Sequence, residues 1–355
     1  MKLLENLFAA LNAVLSFVTP VSDFFWDFPK MFGFWKDIPV LGSFSLAIIV
    51  LVGSGIYFTL RLGFVQIRQF MTGVRTLATR RSIHTGISPL AAFLLSTAMR
   101  VGPGNMIGVT GAIAAGGPGA LFWMWISAFF GGVLGTALLQ GVKRGLMSNE
   151  AGQGTITMAA ASAEAHHPCE QGIISALGVF LDTHVICTMT GFIIIMAHQW
   201  VLNPEEWKAA GTYPKFLLSI HALTPDLLQT FVMVMVSICF CLFAYTCVMG
   251  FVTFSEISGN RISSSTSFIT VLRLLCVFVT AFGIACSIAG YDLSNLWAFS
   301  DLANIIMVYC NVPMLYLGFR YVRKAAAHYA KNDGTPFTSE TIGMKVDYWD
   351  ERKDD

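Results

Sequence analysis

From Leu227 to Phe251 the chain runs 25 residues without a charged side chain. A stretch of that length matches the ~30 Å hydrocarbon core of a bilayer, where each backbone N–H and C=O must find its partner within the protein. A helix meets that demand inside one segment, and the pattern recurs along the chain. The requirement of roughly 20 apolar residues per span predicts seven spans, approximately Val40–Leu60, Ser88–Ala115, Gly119–Val142, Gly172–Met196, Leu227–Phe251, Phe268–Ala289 and Leu296–Phe319. Composition agrees: 12% of residues are charged, against about 25% in soluble domains. The expected class is an all-α integral membrane protein of about seven transmembrane helices, with the lipid bilayer as its surroundings.

A net charge of +1 gives no footing for a nucleic-acid partner. Seven of the eight cysteines lie in apolar runs and read as small buried hydrophobes. Neither a CxxC nor an HExxH pattern occurs, so no metal site or cofactor is expected. No nucleophile and base stand together in a motif, which argues against an enzyme.

The segment Leu3–Val18 carries an apolar stripe but ends at Thr19–Pro20, and it reads as an interfacial amphipathic helix. The expected organisation is therefore an N-terminal interfacial and external segment over 1–39, a membrane domain over 40–320, and a polar tail over 321–355. Lys and Arg accumulate in cytoplasmic loops. Arg61, Arg68, Arg75, Arg80 and Arg81 put the loop after the first span inside. Alternation then places Lys143, Arg144, Arg261, Arg320, Arg323 and Lys324 inside as well, with Glu205 and Glu206 outside. The N-terminus is expected outside and the C-terminus in the cytoplasm.

One span is written with helix breakers: "RVGPGNMIGVTGAIAAGGPG", residues 100–119. Gly108, Gly111 and Gly116 fit close helix packing. Gly102, Pro103, Gly104 and Asn105 predict a break, because proline removes a donor and clashes with the preceding turn while the glycines favour other conformations. A broken membrane helix exposes N–H groups that attract a carboxylate and carbonyls that hold a cation. Arg100 stands just before it, either as a functional charge or as a structural partner of Asp182, Glu256 or an acidic lipid. Asp182 and Thr183, with Cys187, Thr188 and Thr190, form a polar stripe on the fourth span. Ser300 and Asp301 form a second polar pair. The loop "RGLMSNEAGQGT", with Asn149 and Glu150, reads as a cytoplasmic gate or as a helix terminus, and Phe122–Trp125 as an interfacial aromatic belt.

Five strings together carry a resemblance: "VGPGNMIGVTGAIAAGGPGALFWMW", "GVKRGLMSNEAGQGT", "GVFLDTHVICTMTGF", "LFAYTCVMGFVTFSE" and "LWAFSDLANIIMVYCNVPMLYL". They resemble the alanine or glycine:cation symporter family over about Val40 to Tyr321. That resemblance implies sodium-coupled symport of a small neutral amino acid across a bacterial or archaeal cytoplasmic membrane, with Na+ (or H+) as coupling ion. It also implies an inverted-repeat fold like that of the neurotransmitter:sodium symporters. By the same resemblance, substrate contacts fall on Gly102, Pro103, Gly104, Asn105, Gly131 and Gly132. From the residues themselves, cation contacts are expected on Val101, Gly102, Asn105, Asp182 and Thr183, with Arg100, Asn149, Glu150 and Asp301 gating or bracing the site.

The family usually has Thr or Ser where this chain has Pro103, which removes a hydroxyl and an N–H. The resemblance further implies that about 120 residues, or about four helices, are missing between Phe130 and Gly131, which makes the third span a hybrid. The competing expectations are a shortened carrier, which an oligomer could complete, and a degenerate or regulatory subunit that does not transport.

Overall fold

The computed structural model describes residues 2–39, 42, 44–78, 87–130, 144, 150, 152–163, 165–331 and 335–351. Among them the architecture is helical. The helices that position the site are α1 (Lys2–Ser16), α2 (Val18–Asp27), α3 (Leu46–Arg61), α4 (Pro89–Arg100), α5 (Pro103–Gly116) and α6 (Gly119–Phe130). Then come α7 (Pro168–Val179), a π-helical stretch over Phe180–Cys187, α8 (Thr188–Ala197), α9 (Thr212–Leu223), α10 (Gln229–Ile262), α11 (Thr266–Ile288) and α12 (Ser294–Lys331).

Among the described residues, five helices are long and apolar enough to cross a membrane: Lys2–Asp27, Pro168–Leu202, Asp226–Ile262, Thr266–Ile288 and Ser294–Lys331. The last four are the fourth to seventh expected spans, lengthened at their ends. The other three are not obtained as long continuous helices among the described residues. The first is the 16-residue α3, the second is divided into α4 and α5, and only Gly119–Phe130 of the third is described.

The fifth long helix comes from the N-terminus, where the helix does not stop at Pro20 but runs on to Asp27. Pro20 lies in the first turn of α2, where its missing N–H has no intrahelical acceptor to lose. Trp26 is 1% exposed and donates its indole N–H to the Asp301 carbonyl at 3.0 Å, so α2 is fixed against α12.

Two apolar cores flank the middle of the fold. One joins α2, α3 and α12 through Trp26, Ile48, Val52, Ile305 and Val308. The other joins α5, α6, α8 and α9 through Val109, Met124, Ile194 and Phe216. The Phe122–Trp125 run divides between surroundings, because successive helical residues point about 100° apart. Phe122 is exposed, Met124 is fully buried, and the Trp125 indole donates to the Thr188 hydroxyl at 2.7 Å. That run is thus partly core rather than wholly an interfacial belt.

Candidate functional site

The break falls where the sequence places it. Helix α4 ends at Arg100, Val101 and Gly102 are non-helical, and α5 begins with Pro103 as its first residue. Proline fits that position because the opening N–H groups of a helix lack intrahelical acceptors. Asn105 holds the corner together: its Oδ1 accepts the Gly102 N–H at 2.9 Å, and its own backbone N–H reaches the Gly102 carbonyl at 3.0 Å. The asparagine amide nitrogen points the other way. It donates to Asp182 Oδ1 at 2.6 Å and to the Cys187 sulfur at 3.3 Å.

Asp182 and Thr183 lie in the π-helical stretch, which widens the turn that faces Asn105; such insertions concentrate at functional sites. Both residues are fully buried, and the Thr183 hydroxyl donates to Asp182 Oδ2 at 3.0 Å. Gly102, Asn105, Asp182 and Thr183 are therefore one connected polar cluster with both carboxylate oxygens held by neutral donors. A carboxylate, a carboxamide oxygen and the carbonyls at a helix break are hard oxygen ligands suited to a small cation.

Arg100 is 1% exposed and lies over the same face of α7. Its Nη1 donates to the Ser175 carbonyl at 3.1 Å, while Nε and Nη2 have no hydrogen-bond partner among the described residues. Ser175, Gly178 and Asp182 recur at helical spacing, so the guanidinium sits about one turn from the carboxylate. Gly178 makes the room, because a Cβ there would overlap Nη1. Asp182 and Glu150 both act on the Arg100 charge. Glu256 does not serve as its partner: it makes a two-pronged ion pair with Arg273, at 2.6 and 2.8 Å.

Glu150 is buried at φ 55°, a left-handed conformation uncommon outside glycine. It accepts a hydrogen bond from the Thr155 hydroxyl. Burial raises its carboxyl above the usual carboxylate range, with Thr155 and Arg100 opposing that shift. It stands at the head of a cavity of about 510 Å³ that runs between α10, α11 and α12 and carries Gln153, Ser255, Ser258, Ser300 and Asn304 on its walls.

Asp301, one residue on from Ser300, faces a second cavity of about 310 Å³ bordered by Asp23, Gly108, Arg144, Thr212 and Trp297. It is not brought to Asn105. Instead it pairs with Arg144 at 3.5 Å, and that guanidinium also lies 5.8 Å from the Trp297 ring centre. This corrects the loop-charge reading, which groups Arg144 with the cytoplasmic positives. Arg144 packs near the Ser294 end of α12, and Arg320 lies about 28 Å farther along that helix at 1.5 Å per residue. A charge with a buried carboxylate and an indole for partners is no longer a loop charge.

Gly131, Gly132 and Asn149 lie outside the described residues. Cys247 is the residue that sequence reasoning passed over. Its thiol donates to the Met99 carbonyl at 3.1 Å and fills the space beside Gly102, where a Cβ would overlap the sulfur. Nothing in an apolar run marks one cysteine among eight for this contact.

The chain matches the model of the sodium:alanine symporter family in two pieces, residues 34–132 and 126–340. It is similar to the amino-acid carrier protein AlsT of Bacillus subtilis, 24% identical over 79% of this chain and 89% of that protein. It is similar also to the probable sodium/glutamine symporter GlnT of the same organism, 27% identical over 81% and 88%. A third relative is the sodium/alanine symporter AgcS of Methanococcus maripaludis, 35% identical over 54% of this chain and 39% of that protein. The AlsT alignment runs over 428 positions yet takes up 79% of the 355 residues, about 280, so about 150 positions of the relative face no residue here. The chain is internally shorter than its relatives, and the two family matches meet inside α6 and the segment after it.

Proposed function

The chain belongs to the sodium:alanine symporter family, and from that premise we propose that it carries a small neutral amino acid together with Na+ through the polar cluster at the α4–α5 break. The observation that carries this reading is the hydrogen bond from Asn105 to Asp182 at the break itself. It joins a buried carboxylate to the helix ends at the break in a membrane protein, where an ionisable group is costly unless it serves a site. The cation would take the Asp182 and Asn105 oxygens together with the Val101 and Gly102 carbonyls, and Thr183 orients the carboxylate. The substrate carboxylate would meet the N–H of Gly104, which lies in the first turn of α5 and lacks an intrahelical acceptor. Pro103 contributes no N–H, so the cradle relies on fewer backbone donors.

Alternating access would connect this cluster in turn to the two cavities. The Glu150 cavity reaches the Ile262–Phe268 corner, and the Asp301 cavity opens by Thr212 and Ser294 at the other end of the helices. We assign the first to the cytoplasmic side and the second to the outside, with the C-terminus cytoplasmic and the helices arranged as a shortened inverted-repeat transporter. A carrier is favoured over a non-transporting subunit because the charged and carboxamide residues of the site form one connected cluster.

Purified protein in proteoliposomes, given an inward Na+ gradient, should accumulate labelled alanine. Asn105→Ala and Asp182→Asn should each remove Na+-driven accumulation by about tenfold or more, the scale of losing a buried charge-assisted contact, while expression persists. Uptake by either variant at the unaltered rate would remove that residue from the site. Absence of Na+-driven uptake by the unaltered chain would refute the carrier reading.

A further inference from the structure

Nε and Nη2 of an arginine form one edge of the guanidinium, the geometry that receives both oxygens of a carboxylate. In Arg100 that whole edge is buried and has no hydrogen-bond partner among the described residues, while the opposite nitrogen is anchored to the Ser175 carbonyl. Two carboxylates act on it, and each is held by neutral donors: Asp182 by Asn105 and Thr183, and Glu150 by Thr155. Asp182 belongs to the break, and Glu150 stands at the head of the 510 Å³ cavity.

With all three groups ionised, the cluster has one positive and two negative charges, which leaves room for a single monovalent cation. A buried carboxylate that loses its cation without a replacement is strongly disfavoured. We propose that Arg100 is the moving counter-ion of the cation site, its free edge taking whichever of Asp182 and Glu150 has just given up the cation.

This rests on the proposed cation site and adds its release step. A cation leaving Asp182 passes to Glu150 and the cavity, and the guanidinium turns to Asp182 behind it. Return of the edge toward Glu150 frees Asp182 for the next ion. Arg100 therefore competes with the cation at Asp182, and its removal tightens cation binding while it slows release.

The test uses the full chain in nanodiscs, with Na+ titrated against KCl at constant ionic strength. Binding is read as the rise in melting temperature and by labelled Na+. Arg100→Gln should lower the half-saturating Na+ concentration by about tenfold, within the usual range for coupling between two sites, and should slow labelled Na+ release. Arg100→Lys, which keeps the charge but not the two-pronged edge, should fall between. If Arg100→Gln does not fold, Arg100→Gln with Glu150→Gln restores the charge balance and should recover folded protein that binds Na+.

Unchanged Na+ half-saturation in a folded Arg100→Gln chain overturns the counter-ion role while leaving the cation site standing. Where Arg100→Gln does not fold, a double variant that also fails to fold overturns it as well. No Na+ response in the unaltered chain refutes the cation site itself, and the counter-ion with it.

Discussion

Replacing Gly102 with Ala tests whether the break is held open for the Cys247 sulfur. Gly102 is extended, at φ −150°, so alanine fits the backbone and any effect must come from contact. An added Cβ would lie closer than 3.0 Å to the sulfur, whereas the next neighbours are the Cys247 Cβ at 3.6 Å and the Met99 carbonyl at 3.7 Å, both ordinary distances. Overpacking of this kind costs about 1–3 kcal/mol. Displacing the thiol from the Met99 carbonyl adds about 0.5–1.5 kcal/mol, so Gly102→Ala should cost about 2–4 kcal/mol.

Cys247→Ala alone loses the thiol contact and leaves a small hole, about 1–2 kcal/mol. In the double variant the new methyl enters the space the sulfur vacated, so its cost should be no more than that of Cys247→Ala. The two changes should therefore couple by about 2 kcal/mol or more, as contacting residues do. The assay is thermal unfolding of purified protein followed by tryptophan fluorescence. At roughly 2 °C per kcal/mol, Gly102→Ala should lower the midpoint by about 4–8 °C, and adding Cys247→Ala should restore about half of that or more. Additive losses would refute the close approach of α10 to the break.

Gly154→Ala should behave differently: at φ +87° the side chain strains the backbone by about 1–3 kcal/mol, beyond its contact with the Asn311 carboxamide, so adding Asn311→Ala should rescue melting only in part. A second expectation concerns the C-terminal segment, which docks where buried His167 stacks on His328 and meets Phe337. Burial, with His328 adding to it and Glu170 partly opposing it, pushes His167 from 6.5 to about 4. Between those values the unfolded form takes a proton that the docked form refuses, so docking should weaken as pH falls from 6.5 toward 4 and level off below. Limited proteolysis of the segment after Lys331 should rise over that window, and His167→Gln should flatten the change.

The break was legible because its cause is local: proline and two glycines act within one turn, and no distant residue is needed. The polar stripe on the fourth span was legible for the same reason. The pairing of its Asp182 with Asn105 was not, since 77 residues separate them and only packing brings them together. The π-helical turn likewise depends on what faces it. The sequence offers Asp182 to Arg100 only as one partner beside Glu256 and an acidic lipid, and the Ser175 carbonyl that anchors it is a backbone atom with no signature in the sequence. The span count was less legible, because a hydropathy window joins two half-helices that the backbone separates. It also treats Pro20 as a stop, although a proline in the first turn of a helix is compatible with continuing it.

The position of the internal shortening bears directly on whether the proposed cation site is assembled. The two family matches meet between residues 126 and 132. Arg100, Gly102 and Asn105 precede that join, while Glu150, Asp182, Thr183 and Cys247 follow it. The polar cluster is thus assembled across the join, by contacts of α4 and α5 with α7, the π-helical turn and α10. A chain whose halves no longer packed in register would leave Asp182 buried without its Asn105 donor, an arrangement disfavoured by several kcal/mol. Both its oxygens are instead engaged, one by a residue from each side of the join. The internal shortening has therefore left this polar cluster assembled, and the proposed cation site rests on that geometry.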